Sequence, residues 1–300
     1  MKEICLGTAM WGWSVDKITA FSILDCFYEY GGRYVDTANN YPLNGVASDY
    51  QKSIMYISDW CNSRDVSDLV ITCKIGSVIN SNTSENNLNS KFLYEQLNWL
   101  LGVFKSNLGC VMIHWDDRGD LLQIKDTLSI STLLLNEGIQ LGLSGIKYPE
   151  VYASALHESN IIDVNIQVKH NFASSSFSHY SSLSIFKPKI WAYGISVSGL
   201  KLSESEYKDN SYVSLVRGSG YHRHLLTEDL CVALNEVILI NDTIDNIYQI
   251  GVAYSQEDKA LHGFIVAPST LEQMFNITDF LKKSKFKVFD LSPIYSLEVK

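Results

Sequence analysis

Short apolar runs alternate with longer amphipathic stretches along almost the whole chain. Residues 3–7, 34–36, 69–74, 110–114, 140–144, 162–168, 189–193 and 263–266 have the length and continuous hydrophobicity of strands buried on both faces. Between them lie segments with helical spacing, at 17–30, 46–61, 89–105, 121–136, 148–157, 177–186, 244–256 and 271–282. In the third of these, Phe92, Leu93, Leu97, Leu100 and Leu101 recur at the spacing that lines one helix face and would lay it on a sheet. Alternating strands and helices in this number predict an α/β fold, a closed (β/α)8 barrel. An open doubly wound sheet is the other arrangement the same elements allow.

Composition narrows the picture. With 300 residues and 46% hydrophobic positions, the chain can bury one large core, and a single domain over 1–300 is expected. A formal charge of -9 without a lysine or arginine cluster argues against nucleic acid and anionic membrane as partners, since both require concentrated positive charge. A small-molecule partner is expected instead; nothing in the pattern sets an oligomeric state. Cys5, Cys26, Cys61, Cys73, Cys110 and Cys231 form no C-x-x-C pair and sit in apolar settings, as reduced buried thiols do. No signal h-region and no apolar span of about 20 residues is evident, so a cytoplasmic protein is expected. The histidines show no H-x-x-x-H pair, and a metal site is not expected.

Chemistry enters at the strand ends. In a barrel the C-terminal strand ends converge on one rim, which would bring together Asp36, Lys74 and His114, with Tyr41 in the loop beyond the second strand. A phenol with an unperturbed pKa of roughly 10 is a poor proton donor near neutrality. An ammonium beside it favours the phenolate, and a carboxylate holds the ammonium charged and in place. An imidazole completes a pair of donors suited to an oxygen on which negative charge develops. Trp11 and Trp115, just past the first and fourth strands, are candidates for the walls of a substrate pocket.

These residues carry a resemblance. Gly7-Thr8 with Trp11-Gly12, Asp36-Thr37-Ala38-Asn39-Asn40-Tyr41, Thr72-Cys73-Lys74 and Ile113-His114-Trp115 resemble the aldo-keto reductase family. The likeness continues through Gly142-Leu143-Ser144, Asn165-Ile166-Gln167, Ala192-Tyr193 and residues 265–273. It implies a TIM barrel that binds NADP or NAD at the C-terminal rim and interconverts a carbonyl (aldehyde, ketone or sugar-like) and an alcohol. By the resemblance Tyr41 is the general acid/base, Lys74 and Asp36 tune it, and His114 orients the carbonyl. Ser144 and Gln167 match positions that hold the nicotinamide carboxamide, Tyr193 the aromatic that stacks on its ring, and Gly199 with Leu200 the loop under the pyrophosphate. Gly7, Thr8, Asp36, Ala267, Ser269 and Gln273 are the remaining cofactor candidates.

The chain also departs from the family. It starts almost directly on the first strand, so an N-terminal hairpin is not expected, and a long insertion at 201–242 separates the seventh and eighth strands. Tyr41 is followed by Pro42-Leu43-Asn44 where the family has Gly, and Ser48-Asp49 stands in place of Ser-Glu. Residues 266–273 lack the Arg or Lys that NADP-preferring members often carry there, leaving Arg217 and Arg223 of the insertion as alternative cations. Two other functions fit the same barrel: a non-catalytic nicotinamide-nucleotide-binding regulatory protein, and a redox-neutral sugar lyase or isomerase.

Overall fold

In a computed structural model describing residues 2–81, 85–202 and 226–297, the alternating segments close into a barrel. The strands are β1 (Glu3–Gly7), β2 (Tyr34–Ala38), β3 (Val70–Ile75), β4 (Leu108–His114), β5 (Gln140–Ser144), β6 (Val164–Asn171), β7 (Ser174–Ser175), β8 (Lys189–Tyr193) and β9 (Gly263–Val266). All but β7 are parallel, in the order β5-β4-β3-β2-β1-β9-β8-β6, and β6 pairs back onto β5. That pairing excludes the open sheet and leaves the barrel without an edge. The surrounding helices are α1 (Lys17–Tyr30), α2 (Lys52–Arg64), α3 (Ser90–Phe104), α4 (Leu121–Leu128), α5 (Ser131–Asn136), α6 (Pro149–Glu158), α7 (Glu228–Ile240), α8 (Ile247–Glu257), α9 (Leu271–Ser284) and α10 (Ser292–Tyr295). Among the described residues no helix is long and apolar enough to cross a membrane.

Strand alternation places the site. Val35, Cys73, Ile113, Leu143 and Ile166 belong to the large apolar cluster between strands and helices. Side chains alternate faces along a strand, so their neighbours Asp36, Lys74, His114, Ser144 and Gln167 point into the lumen. Deeper in the lumen Cys5, Trp191 and Ile265 form a separate small cluster with Tyr34 against it, and the Trp191 Nε1–H donates to Asn165 Oδ1 at 3.2 Å. This cluster lies one layer below Asp36, with Cys5 level with Tyr34 and Gly7 level with Asp36.

Helix starts follow side-chain caps: Asp16, Asn89, Asp120, Thr227, Asn246 and Thr270 each accept a hydrogen bond from a backbone N–H in the first turn of the following helix. Several expected bounds shift, each for a local reason. The predicted helix over 46–61 becomes a 3-10 turn, Ala47–Asp49, then α2, because Asp49 accepts from both Asn44 and Lys52 and Gln51 turns left-handed at φ +66°. The one over 121–136 breaks between α4 and α5, where the Ser129 hydroxyl takes the Asp126 carbonyl at 2.7 Å. Residues 177–186 form a 3-10 helix; its buried Tyr180 and Leu183 are three apart, the repeat of that helix. β6 runs on to Asn171 because it forms a hairpin with β7. In the insertion α7 forms after Thr227, whereas Arg217 and Arg223 lie outside the described residues.

Candidate active site

Asp36, Lys74, Tyr41 and His114 come together at the C-terminal rim. The register sets them there: Ala38 is level with Lys74, Lys74 with Met112, and His114 with Ser144. Asp36 is held by its backbone as well, since both the N–H and the hydroxyl of Thr8 donate to its carbonyl, at 3.1 and 2.9 Å. Ser53 in turn donates to the Thr8 hydroxyl at 2.7 Å, which ties α2 to the same point. Thr8 is fully buried, so its hydroxyl serves this clamp.

Lys74 is 2% exposed and forms an ion pair with Asp36 Oδ2. Its Nζ lies 4.9 Å from the centre of the Tyr41 ring, and it is hydrogen-bonded to both Asp36 and Tyr41. Burial alone would strip its proton; the Asp36 carboxylate and then Tyr41 outweigh that and hold it charged, above the ordinary lysine range. The buried thiols nearby, Cys73 on the helix side of β3 and Cys110 on β4, keep their protons. Burial pushes Cys73 up, and it pushes Cys110 up to about 12, so neither supplies a competing thiolate.

Burial, and then the Lys74 charge, push the His114 imidazole well below its ordinary range, so it is neutral. Its Nδ1 is buried without a hydrogen-bond partner. An unpaired N–H costs more there than an unpaired lone pair, which favours the tautomer with the proton on Nε2. His114 is thereby prepared to donate from Nε2. Trp115 stacks on it with ring centroids 4.4 Å apart, while Tyr41 meets it edge-on at 6.5 Å.

The other candidates fall into two groups. Ser144, Gln167 and Gly7 lie at or next to the polar layer, and Tyr193 ends β8 with 39% of its surface exposed. Gly199 follows Val197 and Ser198 in three consecutive left-handed residues, with φ of +52°, +59° and +79°; for a β-branched valine this is strained backbone. Ala267, Ser269 and Gln273 lie at the start of α9, where the Gln273 side chain accepts from the Ser269 N–H at 2.7 Å. Trp11 and Leu200, by contrast, are packed into the apolar core. Among the described residues no cluster of three His, Cys, Asp or Glu side chains could hold a metal.

The structure adds a contact of Gln167 and two residues, Asn86 and Gly145, that the sequence did not point to. Gln167 donates its amide to Asp36 Oδ1, from β6 to β2 across the lumen. Asn86 donates to the Trp115 carbonyl at 2.7 Å, and Gly145 lies against the Trp115 indole. Of Asn86 and Gly145, the glycine directly after the β5 end is the one with a signal in the sequence, standing where a left-handed turn is needed.

Residues 3–294 match the model of the aldo/keto reductase family. Local matches to curated proteins include a putative aryl-alcohol dehydrogenase of Saccharomyces cerevisiae, 40% identical over 58 residues, 19% of this chain and 24% of that protein. Norsolorinic acid reductase B of Dothistroma septosporum is 35% identical over 78 residues, 24% of this chain and 18% of that one. A norsolorinic acid reductase of Emericella nidulans is 39% identical over 82 residues, 25% and 19% of the two chains. The matched part thus spans less than a quarter of each of these relatives' length.

Proposed function

The chain belongs to the aldo/keto reductase family, and from that premise we propose that it interconverts a small uncharged carbonyl compound and its alcohol with NAD(P)(H). The observation that carries this reading is the buried Lys74–Asp36 pair set against Tyr41. Tyr41 gives its hydroxyl proton to the carbonyl oxygen in reduction and takes it back in oxidation. Lys74 stabilises the phenolate left behind, and Asp36 keeps Lys74 charged. His114, neutral and protonated on Nε2, donates a second hydrogen bond to the same oxygen as it becomes an alkoxide. The residues at the rim fit a dinucleotide. Tyr193 offers a ring for stacking, the Ser144 oxygen and the second N–H of the Gln167 amide remain to complement a carboxamide, and α9 directs its N-terminus at the rim where a phosphate would lie. A nicotinamide held by these residues would supply the hydride in reduction and accept it in oxidation. Trp115 gives the substrate an aromatic wall; this and the relatives named for aryl alcohols and norsolorinic acid make an aromatic aldehyde the first compound to test.

The test is Tyr41→Phe. We expect carbonyl-dependent oxidation of NADH or NADPH to fall by at least about 100-fold while nucleotide binding, read from tryptophan fluorescence, stays within about twofold. Turnover undiminished in that variant would overturn the assignment. Titrating both nucleotides also decides their preference. Residues 267–270 place hydroxyls and no cation at the start of α9, which favours NAD.

A further inference from the structure

Asp36 carries two carboxylate oxygens in the closed polar layer, and each has its own partner. Oδ2 takes the Lys74 ammonium; Oδ1 takes the Gln167 amide. The amide is not free to turn over. Ser144 donates its hydroxyl to Gln167 Oε1 at 3.2 Å, and with that end engaged the NH2 end faces Asp36. Asp36, Ser144 and Gln167 are all buried, so no solvent screens these bonds. The chain Ser144–Gln167–Asp36–Lys74–Tyr41 thus links β5, β6, β2, β3 and the loop after β2.

We propose that Gln167 is a positioning residue: by donating its amide across the lumen it holds the Asp36 carboxylate in place and offsets part of its charge, so that the Lys74 charge is left for Tyr41. Without that donor the carboxylate draws Lys74 more strongly to itself, and a Tyr41 phenolate loses stabilisation. The inference rests on the reading of Tyr41 as the proton-transfer group, but its test needs neither nucleotide nor carbonyl.

The protein is titrated without nucleotide, following phenolate absorbance, and subtracting the titration of Tyr41→Phe isolates Tyr41 from the other 16 of the chain's 17 tyrosines. In Gln167→Met the Tyr41 midpoint is expected to rise by about 0.5 to 1 pH unit. Ser144→Ala leaves the amide but frees its carbonyl end, and is expected to give a smaller rise. A purely space-filling Gln167 would lower the melting temperature of the methionine variant and leave the midpoint unmoved. An unmoved or lowered midpoint in folded Gln167→Met therefore overturns the proposal. If that variant does not fold, the same result in Ser144→Ala overturns it. A raised midpoint in a protein that reduces no carbonyl would support Gln167 as the positioning residue while removing the oxidoreductase reading.

Discussion

Trp115 lies nearly flat against His114, with planes 27° apart, on a backbone held at φ +56°. Few residues other than glycine adopt that conformation, and the surroundings impose it here. The Trp115 N–H donates to the Ser144 carbonyl at 2.9 Å, and its own carbonyl accepts from Asn86. The ring that would orient a substrate oxygen is thus braced by a neighbour fixed at both ends of its peptide unit.

Gly145 is what lets the indole lie there. A Cβ at that position would fall 2.5 Å from Trp115 Cδ1, and the backbone is left-handed at φ +71°. Gly145→Ala must therefore both strain the turn and push Trp115 off His114. We expect a loss of about 2 kcal/mol in urea unfolding, together with a fall in kcat/KM for an aromatic aldehyde. Unchanged stability and turnover would show that the stack is not held from this side.

Much of this was legible in the sequence. The alternation of runs specified parallel strands covered by helices, and eight of each pointed to a closed barrel; it left an open doubly wound sheet as the alternative, which the β5–β6 pairing excludes. The quartet was legible because strand ends at one rim are neighbours whatever their separation along the chain. The cross-lumen bond from Gln167 to Asp36 was not, since it joins residues 131 positions apart and depends on which way an amide faces. Nor was the burial of Trp11: its position just after β1 suggested a pocket wall, but the turn folds it inward, where it pairs in a bridge with Val15.

His114 also sets a pH dependence of stability. Unfolded, an imidazole titrates near pH 6.5; folded, His114 sits well below that because of burial and then Lys74. Below pH 6.5 the unfolded chain takes up a proton that the folded one refuses, so stability falls as pH falls, by at most about 1.4 kcal/mol per unit for this group. His170 acts in the same direction through burial, opposed by Asp258. Urea unfolding between pH 7.5 and 5.5, above the range where ordinary carboxylates titrate, should show the decline, and His114→Gln should flatten it. An equal slope in the variant would mean that His114 is not buried neutral.

A second buried network braces the loop beyond Trp115, and it predicts where the rim fails first. Asp116 is fully buried and accepts from Arg118 through both oxygens, at 2.8 Å each, while Tyr152 of α6 donates to Oδ2 at 2.7 Å. Arg118 also donates to the Thr127 hydroxyl of α4 at 2.7 Å, and the Asp116 carbonyl accepts from the Lys147 N–H at 2.8 Å. Asp116 thus ties the β4–α4 loop to α6 through its carboxylate, to α4 through Arg118 and to the β5–α6 loop through its backbone carbonyl. Removing the cation leaves a buried charge with two neutral donors, the Tyr152 hydroxyl and the backbone N–H of residue 118 at 2.9 Å, whereas removing the phenol hydroxyl leaves the bidentate pair intact. Arg118→Met should therefore cost about 3 to 5 kcal/mol and Tyr152→Phe about 1 to 3 kcal/mol in urea unfolding. The two share Asp116, so the double variant should cost less or more than their sum by at least about 0.5 kcal/mol. Simple additivity would mean that Asp116 does not couple them, and that the loop carrying Trp115 is held by the backbone bonds alone.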